Sequence, residues 1–499
     1  MCYKEVTKLT LPTSAMNLAL QLTLRPALPN VYGPLDYREQ RAMFERMDEI
    51  LNQSGLDIGW VQDWMEECNE SSERKGAWRL TGFRCAVARR LTGMSLRDFV
   101  FRLSDSPLLQ WFCRCGDYGL VPPPSKSSID RFEKMIDLQD LENMIDALTQ
   151  GAMDPEKGKR LGALNDPVEL GDVFADCTCV KAPIHFPTDW VLLVDGVRTL
   201  MKAVLLVREH GLKHRMPPPE SFLTTINAQA MAMSGSRRRK DGKKARKQTL
   251  RRMKKICRLV ESHAKRYRDL LDQRWEETDW TRKQTEQVLG RMDNVLEQLP
   301  AAKKQAHERI IGGRKMANED KILSLYEPDV HVIKRGKAAA EVEFGNKLYL
   351  AEQRDGLLVD WCLYQDRVPS DTELIRQSVE RMDLSVGKPE SMVTDRGFCS
   401  KGNIQWLKNE NVRDGICRKD PEELRERMSD PWFAAAQKRR GSTEGRIGVF
   451  KNVFLGGVMK EKGFKNRNRS LIWSILAHNL WVLARKSLAD EAERLEKAA

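Results

Sequence analysis

From Asp36 to about Ala152 apolar residues return every three or four positions, as in Leu96-Arg-Asp-Phe99-Val100-Phe-Arg-Leu103. That is the period of helices with one buried face. Residues 1–165 therefore read as an all-helical N-terminal domain. The pattern breaks at Val121-Pro122-Pro123-Pro124, because prolines lack the amide hydrogen a helix interior uses. Ser125 or Ser127 then offers an N-cap to a short helix with Ile129, Phe132 and Met135 on one face.

At Val168–Val180 the texture changes to a run rich in apolar and β-branched residues, short enough for a strand that would carry Asp176. Residues 198–335 return to helical composition, with a turn expected near Leu299-Pro300. From Ala340 strands return. Val342–Leu350 and Gly356–Tyr364 flank Asp355-Gly356, a strong hairpin signal. Ser370 and Glu373 form a capping box that opens a helix carrying Leu374, Ile375, Val379 and Met382. A strand Ser391–Thr394 ends at Asp395, Ser400 caps another short helix, and Val412–Cys417 reads as a further strand. The order is strand, helical insert, hairpin, helix, strand, helix, strand, helix. It predicts a mixed α/β sheet split into residues 166–197 and 336–499 by the insert.

The chain has 499 residues and 41% apolar content, enough for several cores. Its formal charge of +13 draws it toward polyanions, nucleic acid first. The charge is concentrated. Between Arg237 and Lys255, Asp241 is the sole acid, so Arg237, Arg238, Arg239 and Lys240 read as phosphate contacts, a solvated charged helix being the alternative. Lys126 and Arg131, on the helix after the prolines, suit entry into a DNA groove, a plain helical bundle being the alternative. The most apolar stretch, Leu471–Ala484, is too short to span a bilayer, which takes about 20 residues. The first residues lack a basic region followed by an apolar core. Eleven scattered cysteines point to reduced thiols. These features read as a cytoplasmic protein without a membrane partner.

Three acids stand in settings suited to nucleic-acid chemistry. Asp176 lies within an apolar strand, Asp395 ends one, and Glu444 sits in Arg440-Gly-Ser-Thr-Glu444-Gly-Arg-Ile-Gly-Val-Phe-Lys451. Arg440, Glu444 and Lys451 are spaced by four and seven residues and share one helical stripe. Carboxylates at strand ends and on a later helix can converge at one sheet edge. Their hard oxygens, without supporting His or Cys, suit Mg²⁺ or Mn²⁺. Two such ions about 4 Å apart would serve phosphoryl transfer. Asp172, Asp189 and Asp195 compete for the first position, and Asp189 is also placed to cap the helix at Trp190.

The set resembles the DDE-type transposases of bacterial insertion sequences. The resemblance is carried by Ala175-Asp176-Cys-Thr178 with Pro187-Thr188-Asp189, by Thr394-Asp395-Arg396-Gly397-Phe398, by Arg440-x3-Glu444-x6-Lys451 and by His478-Asn479-Leu480. It implies an RNase H-like catalytic domain and the metal triad Asp176, Asp395 and Glu444, with Asp189 outside the triad. It further implies a substrate of double-stranded DNA at terminal inverted repeats, joining to target DNA, and a homodimer holding both ends. Arg396, Arg440 and Lys451 would border the DNA. Related enzymes often carry Tyr three residues before the Arg; here that residue is Gln437.

Overall fold

The computed structural model describes residues 28, 33–115, 122–161, 164–238, 240–337 and 340–498. Its first part is helical: α1 (Leu35–Ser54), α2 (Leu56–Glu67), α3 (Glu73–Thr92), α4 (Leu96–Asp105), α5 (Pro107–Cys113), α6 (Lys126–Met135), α7 (Leu138–Met153) and α8 (Pro155–Arg160). Local chemistry sets the ends. Ser95, Ser106 and Ser125 each accept the amide three residues on, and Pro107 and Pro155 open their helices. In α6, Ile129 and Phe132 are buried, whereas Met135, expected on the same face, is exposed. The Phe132 ring fills the space beside Gly82 of α3, where a Cβ would come within 2.4 Å of it. Val121 lies outside the described residues; Pro122–Pro124 are non-helical as expected.

The sheet begins with β1 (Asp172–Lys181). The helices α9 (Asp189–Glu209), α10 (Pro219–Gly235), α11 (Gly242–Arg274) and α12 (Arg282–Ala306) then form their own apolar core. That core takes in Leu193, Val197 and Leu200 of α9, so the helical module reaches back to Asp189. From Gly242 the basic stretch folds as the start of α11 because Leu250, Met253 and Cys257 give it a buried stripe. One expectation changes here: no turn occurs at Leu299-Pro300. Helix α12 runs through Pro300, with Leu299 and Ala302 buried on either side, and the α11–α12 reversal lies at Trp275–Thr281. Packing of the apolar face outweighs the roughly 3 kcal/mol cost of an interior proline.

The chain then builds β2 (His331–Lys337), β3 (Ala340–Gln353), β4 (Leu358–Leu363), α13 (Leu374–Leu384), β5 (Ser391–Thr394), α14 (Lys401–Asn409), β6 (Arg413–Ile416), α15 (Pro421–Arg427), α16 (Pro431–Val449) and α17 (Phe464–Ala498). Strand β2 falls in a segment whose composition reads as the end of the insert. The sheet order is β2-β3-β1-β5-β6, with β4 also on β3. Strands β1, β5 and β6 run parallel, whereas β3 is antiparallel to β1, β2 and β4. This is a mixed sheet in a mostly helical α/β chain. The β3–β4 hairpin turns through Gly356 at φ +105°, a conformation that favours glycine.

Helices α13 and α14 cover one face of the sheet through Ile375, Met382 and Leu407. On the other side, α17 is apolar all round from Leu471 to Ala484 because it is buried between the N-terminal helices and the sheet, in one shared core. Trp473 within it donates from Nε1 to the carbonyl of Glu133 at 3.1 Å. Asn479 accepts the Leu358 amide at 3.0 Å and donates to the Leu358 carbonyl at 2.8 Å, acting as a strand partner for β4. No described helix is long and apolar enough to cross a membrane.

Candidate active site

The register of β1 and β5 pairs Ala175 with Thr394, so Asp176 and Asp395 are the next residues on neighbouring parallel strands. Alternation along β1 puts Phe174, Asp176 and Thr178 on one face. Phe174 meets Val393 and Ala436 there, which seats α16 over the same strands. One side of α16 is anchored to the buried Glu352 of β3. Thr443 Oγ1 donates to it at 2.8 Å, and Arg439 and Arg446 pair with it at 3.2 and 3.8 Å. The next stripe carries Arg440, Glu444 and, in the wide turn after α16, Lys451. With Asp176, Asp395 and Arg396 these line one cleft of 1460 Å³. Asp172, Asp189 and Asp195 are not among its walls.

Those three acids lie elsewhere. Asp172 accepts Ser391 Oγ at 2.6 Å and Trp432 Nε1 at 3.2 Å at the far end of β1. Asp189 begins α9 and, instead of capping it, takes Arg309 at 2.6 Å and Gln305 at 2.9 Å. Asp195 lies within α9, in the helical module.

Asp176 Oδ1 accepts the Cys177 amide at 2.6 Å. Its carboxyl is nevertheless pushed up to about 6, by burial first, then by Asp395 and Asp371, against the pull of the Cys177 amide and Arg440. Asp395 caps the short turn Arg396–Phe398, its Oδ1 accepting the Gly397 amide at 2.8 Å. A cap role and a place in the cleft thus coexist. Glu444 is exposed on α16. Among the described residues, no three His, Cys, Asp or Glu side chains stand close enough together to hold a metal. The two aspartates are paired by the sheet; Glu444 shares their cleft without closing on them.

Lys451 Nζ donates to Thr178 Oγ1 at 3.0 Å, which ties the cleft-lining turn to β1. Gln437 donates to the Gly415 carbonyl at 2.6 Å and the Thr394 carbonyl at 3.3 Å, and accepts Arg440 Nε at 3.1 Å. The residue standing where Tyr was expected therefore clamps the ends of β5 and β6 and aims Arg440. Gly441, Gly445 and Gly448 face open space, so no close approach within the chain requires them. His478 is buried against Phe454 and Phe450, ring centroids 5.0 and 5.5 Å away, and burial holds it down to about 4. It does not line the cleft.

Two cleft residues escape a reading of the sequence. Lys347 of β3, buried, donates to the Pro369 carbonyl and to Asp371 Oδ1, each at 2.6 Å. Asp371 lies beside Asp395: a Cβ on Gly397 would stand 2.9 Å from an oxygen of each. A signal is present, since Lys347 directly precedes the apolar run Leu348–Ala351 and a buried cation needs a partner. Asp371 is hidden inside the Ser370–Glu373 capping box, which forms as read.

The other predicted DNA contacts lie elsewhere. Arg237 and Arg238 belong to a short turn after α10, Arg238 and Lys240 are exposed, and Arg239 lies outside the described residues. Arg131 is exposed on α6 and bonds back to the Ser127 carbonyl at 3.3 Å, while Lys126 lines a second pocket. No protein-family model matches the chain, and no curated protein or solved structure is significantly similar to it.

Proposed function

We propose that the chain is a DDE-type transposase, cutting DNA at terminal inverted repeats and joining the freed 3′-hydroxyl to target DNA. The observation that carries this reading is the β1–β5 register, which sets Asp176 and Asp395 side by side at one cleft that Arg440, Glu444 and Lys451 also line. A sheet in which β1, β5 and β6 run parallel while an antiparallel set adjoins the other edge of β1 supports reading it as RNase H-like.

The donors fit a hard divalent cation. The facing groups are carboxylate oxygens, and Asp395 and Asp371 add to the effect of burial in raising Asp176. Mg²⁺ or Mn²⁺ at Asp176 and Asp395, with Glu444 as the third acid, would activate the attacking oxygen and stabilise the leaving one. The protein's own groups do the rest. Arg440, held by Gln437, and Lys451, held by Thr178, grip the phosphates flanking the scissile bond, and Arg396 extends the same basic border. The net charge of +13 favours duplex DNA approach, and two copies would hold the two ends.

The test is a reaction of the purified chain with terminal-repeat duplex and Mg²⁺ or Mn²⁺. Cleaved and joined products are expected. Cleavage without joining would make it a nuclease or resolvase, and binding without cleavage would make it a DNA-binding protein only.

A further inference from the structure

A second pocket, of 370 Å³, opens where the N-terminal helices meet the segment between α16 and α17. The end of α3 with the α3–α4 turn, α6 from Lys126 to Lys134, and residues within 454–470 form its walls. Gly93, at φ +62°, lets the end of α3 come against that segment; a Cβ there would meet the Val453 carbonyl oxygen at 2.6 Å.

Its charge is one-sided. Arg89 and Arg90 share Glu133, at 2.5 and 3.0 Å, and Glu461 approaches Arg90 at 3.4 Å. Asp130 is taken by Lys134 at 2.7 Å. Against these acids the walls also carry Arg97, Lys126, Lys460, Lys462 and Arg469. Arg469 is only 9% exposed, and the Nε atoms of Arg90 and Arg469 are buried with no hydrogen-bond partner among the described residues. Burial and the neighbouring Arg89 hold Arg90 below its ordinary value. Arg84, by contrast, has both Asp48 and Asp57 to itself. Buried cations without enough counter-charge leave a place for an anion. The N-termini of α4 and α6, which open on the same pocket, add positive partial charge. Guanidinium donors in this number suit the oxygens of a phosphate.

We propose that this pocket binds a backbone phosphate of duplex DNA. Phe454 in its wall is three residues along the chain from Lys451 in the carboxylate cleft, so one duplex can touch both. The proposal rests on the DNA reading above and adds a docking point that joins the N-terminal helices to the catalytic half.

Lysine acylation of the full chain, read residue by residue by mass spectrometry, tests it. Duplex DNA should slow acylation of Lys126, Lys460 and Lys462, and inorganic phosphate at the same phosphate concentration should do so far less. Protection of Lys451 alone would overturn the pocket and leave the proposed function standing. Protection nowhere would overturn both. Equal protection by inorganic phosphate would make the pocket a free-ion site and overturn DNA docking. Because Lys460 and Lys462 are exposed, the variant K460Q/K462Q should fold. It should lower the slope of log affinity against log salt by about 1, the share of one phosphate. An unchanged slope would count against the pocket.

Discussion

The two pockets flanking the end of α16 bury ionisable groups of opposite sign. In the cleft, Asp176 is pushed up by burial, Asp395 and Asp371; in the second pocket, Arg90 is pushed down by burial and Arg89. In the Arg84 cluster one fully buried arginine has two aspartates and the Phe112 carbonyl to itself, whereas Arg89 and Arg90 share Glu133 and Glu461. The difference separates structural charge from functional charge. A folded chain matches its buried ions internally, because an unmatched ion is costly, so a defect of one sign marks where a partner of the other sign belongs.

The comparison breaks first if the carboxylates prove dispensable. D176A, D395A and E444A should each lower cleavage at least about 10³-fold while DNA affinity changes little, since they remove metal binding and not phosphate contacts. Retained cleavage in D176A, with loss in D172A or D195A, would move the first acid elsewhere. Next comes the matched cluster. R84A strips a buried partner from Asp48 and Asp57, and denaturant unfolding should show a loss of about 3–5 kcal/mol without a specific effect on DNA binding.

The unmatched acid should behave in the opposite sense. A carboxyl that titrates at about 6 in the folded chain, against an ordinary 3.8, keeps its proton better when folded. Its contribution is full below the unfolded value and drains as pH rises from about 4 to about 6. Asp176→Asn should therefore stabilise the metal-free protein above pH 6, by on the order of 2–3 kcal/mol, and give little gain near pH 4. Thermal melts across that range check the sign; destabilisation at pH 7 would mean the cleft is already neutralised. Mg²⁺ should stabilise the wild type and not this variant.

A smaller effect is expected at Gln437. Q437A frees the carbonyls of Thr394 and Gly415 and releases Arg440, at a cost of about 1–2 kcal/mol in stability together with slower cleavage. Restored cleavage in Q437E would argue against the amide clamp, because a carboxylate cannot donate to those carbonyls. Smallest of all, neutralising Arg238 and Lys240 should lower the salt slope of DNA binding by about 1 for each phosphate they cease to neutralise. No change would mark that turn as merely solvated.

Local signals were legible where the chain satisfies itself nearby. The Ser125 cap, the Ser370–Glu373 box, the Asp355-Gly356 hairpin and the strand ending at Thr394 all form, since each depends on neighbours a few residues away. Pro300 and β2 mislead for the converse reason. A packed apolar face carries α12 through the proline, and β2 gains its identity from pairing with β3. Lys347 and Asp371 escape notice because each is meaningful only beside the other.

Taken alone, the sequence determined the strongly basic balance, the periodicities that make helices and strands, and the helical stripe of Arg440, Glu444 and Lys451, all set by composition and short-range geometry. The tertiary structure decided which aspartates meet, because strand register, which sets Ala175 against Thr394, is a property of two segments more than 200 residues apart. It also decided where charge stays unmatched, since burial and counter-ions come together only when the N-terminal helices, the sheet and α17 close on one another.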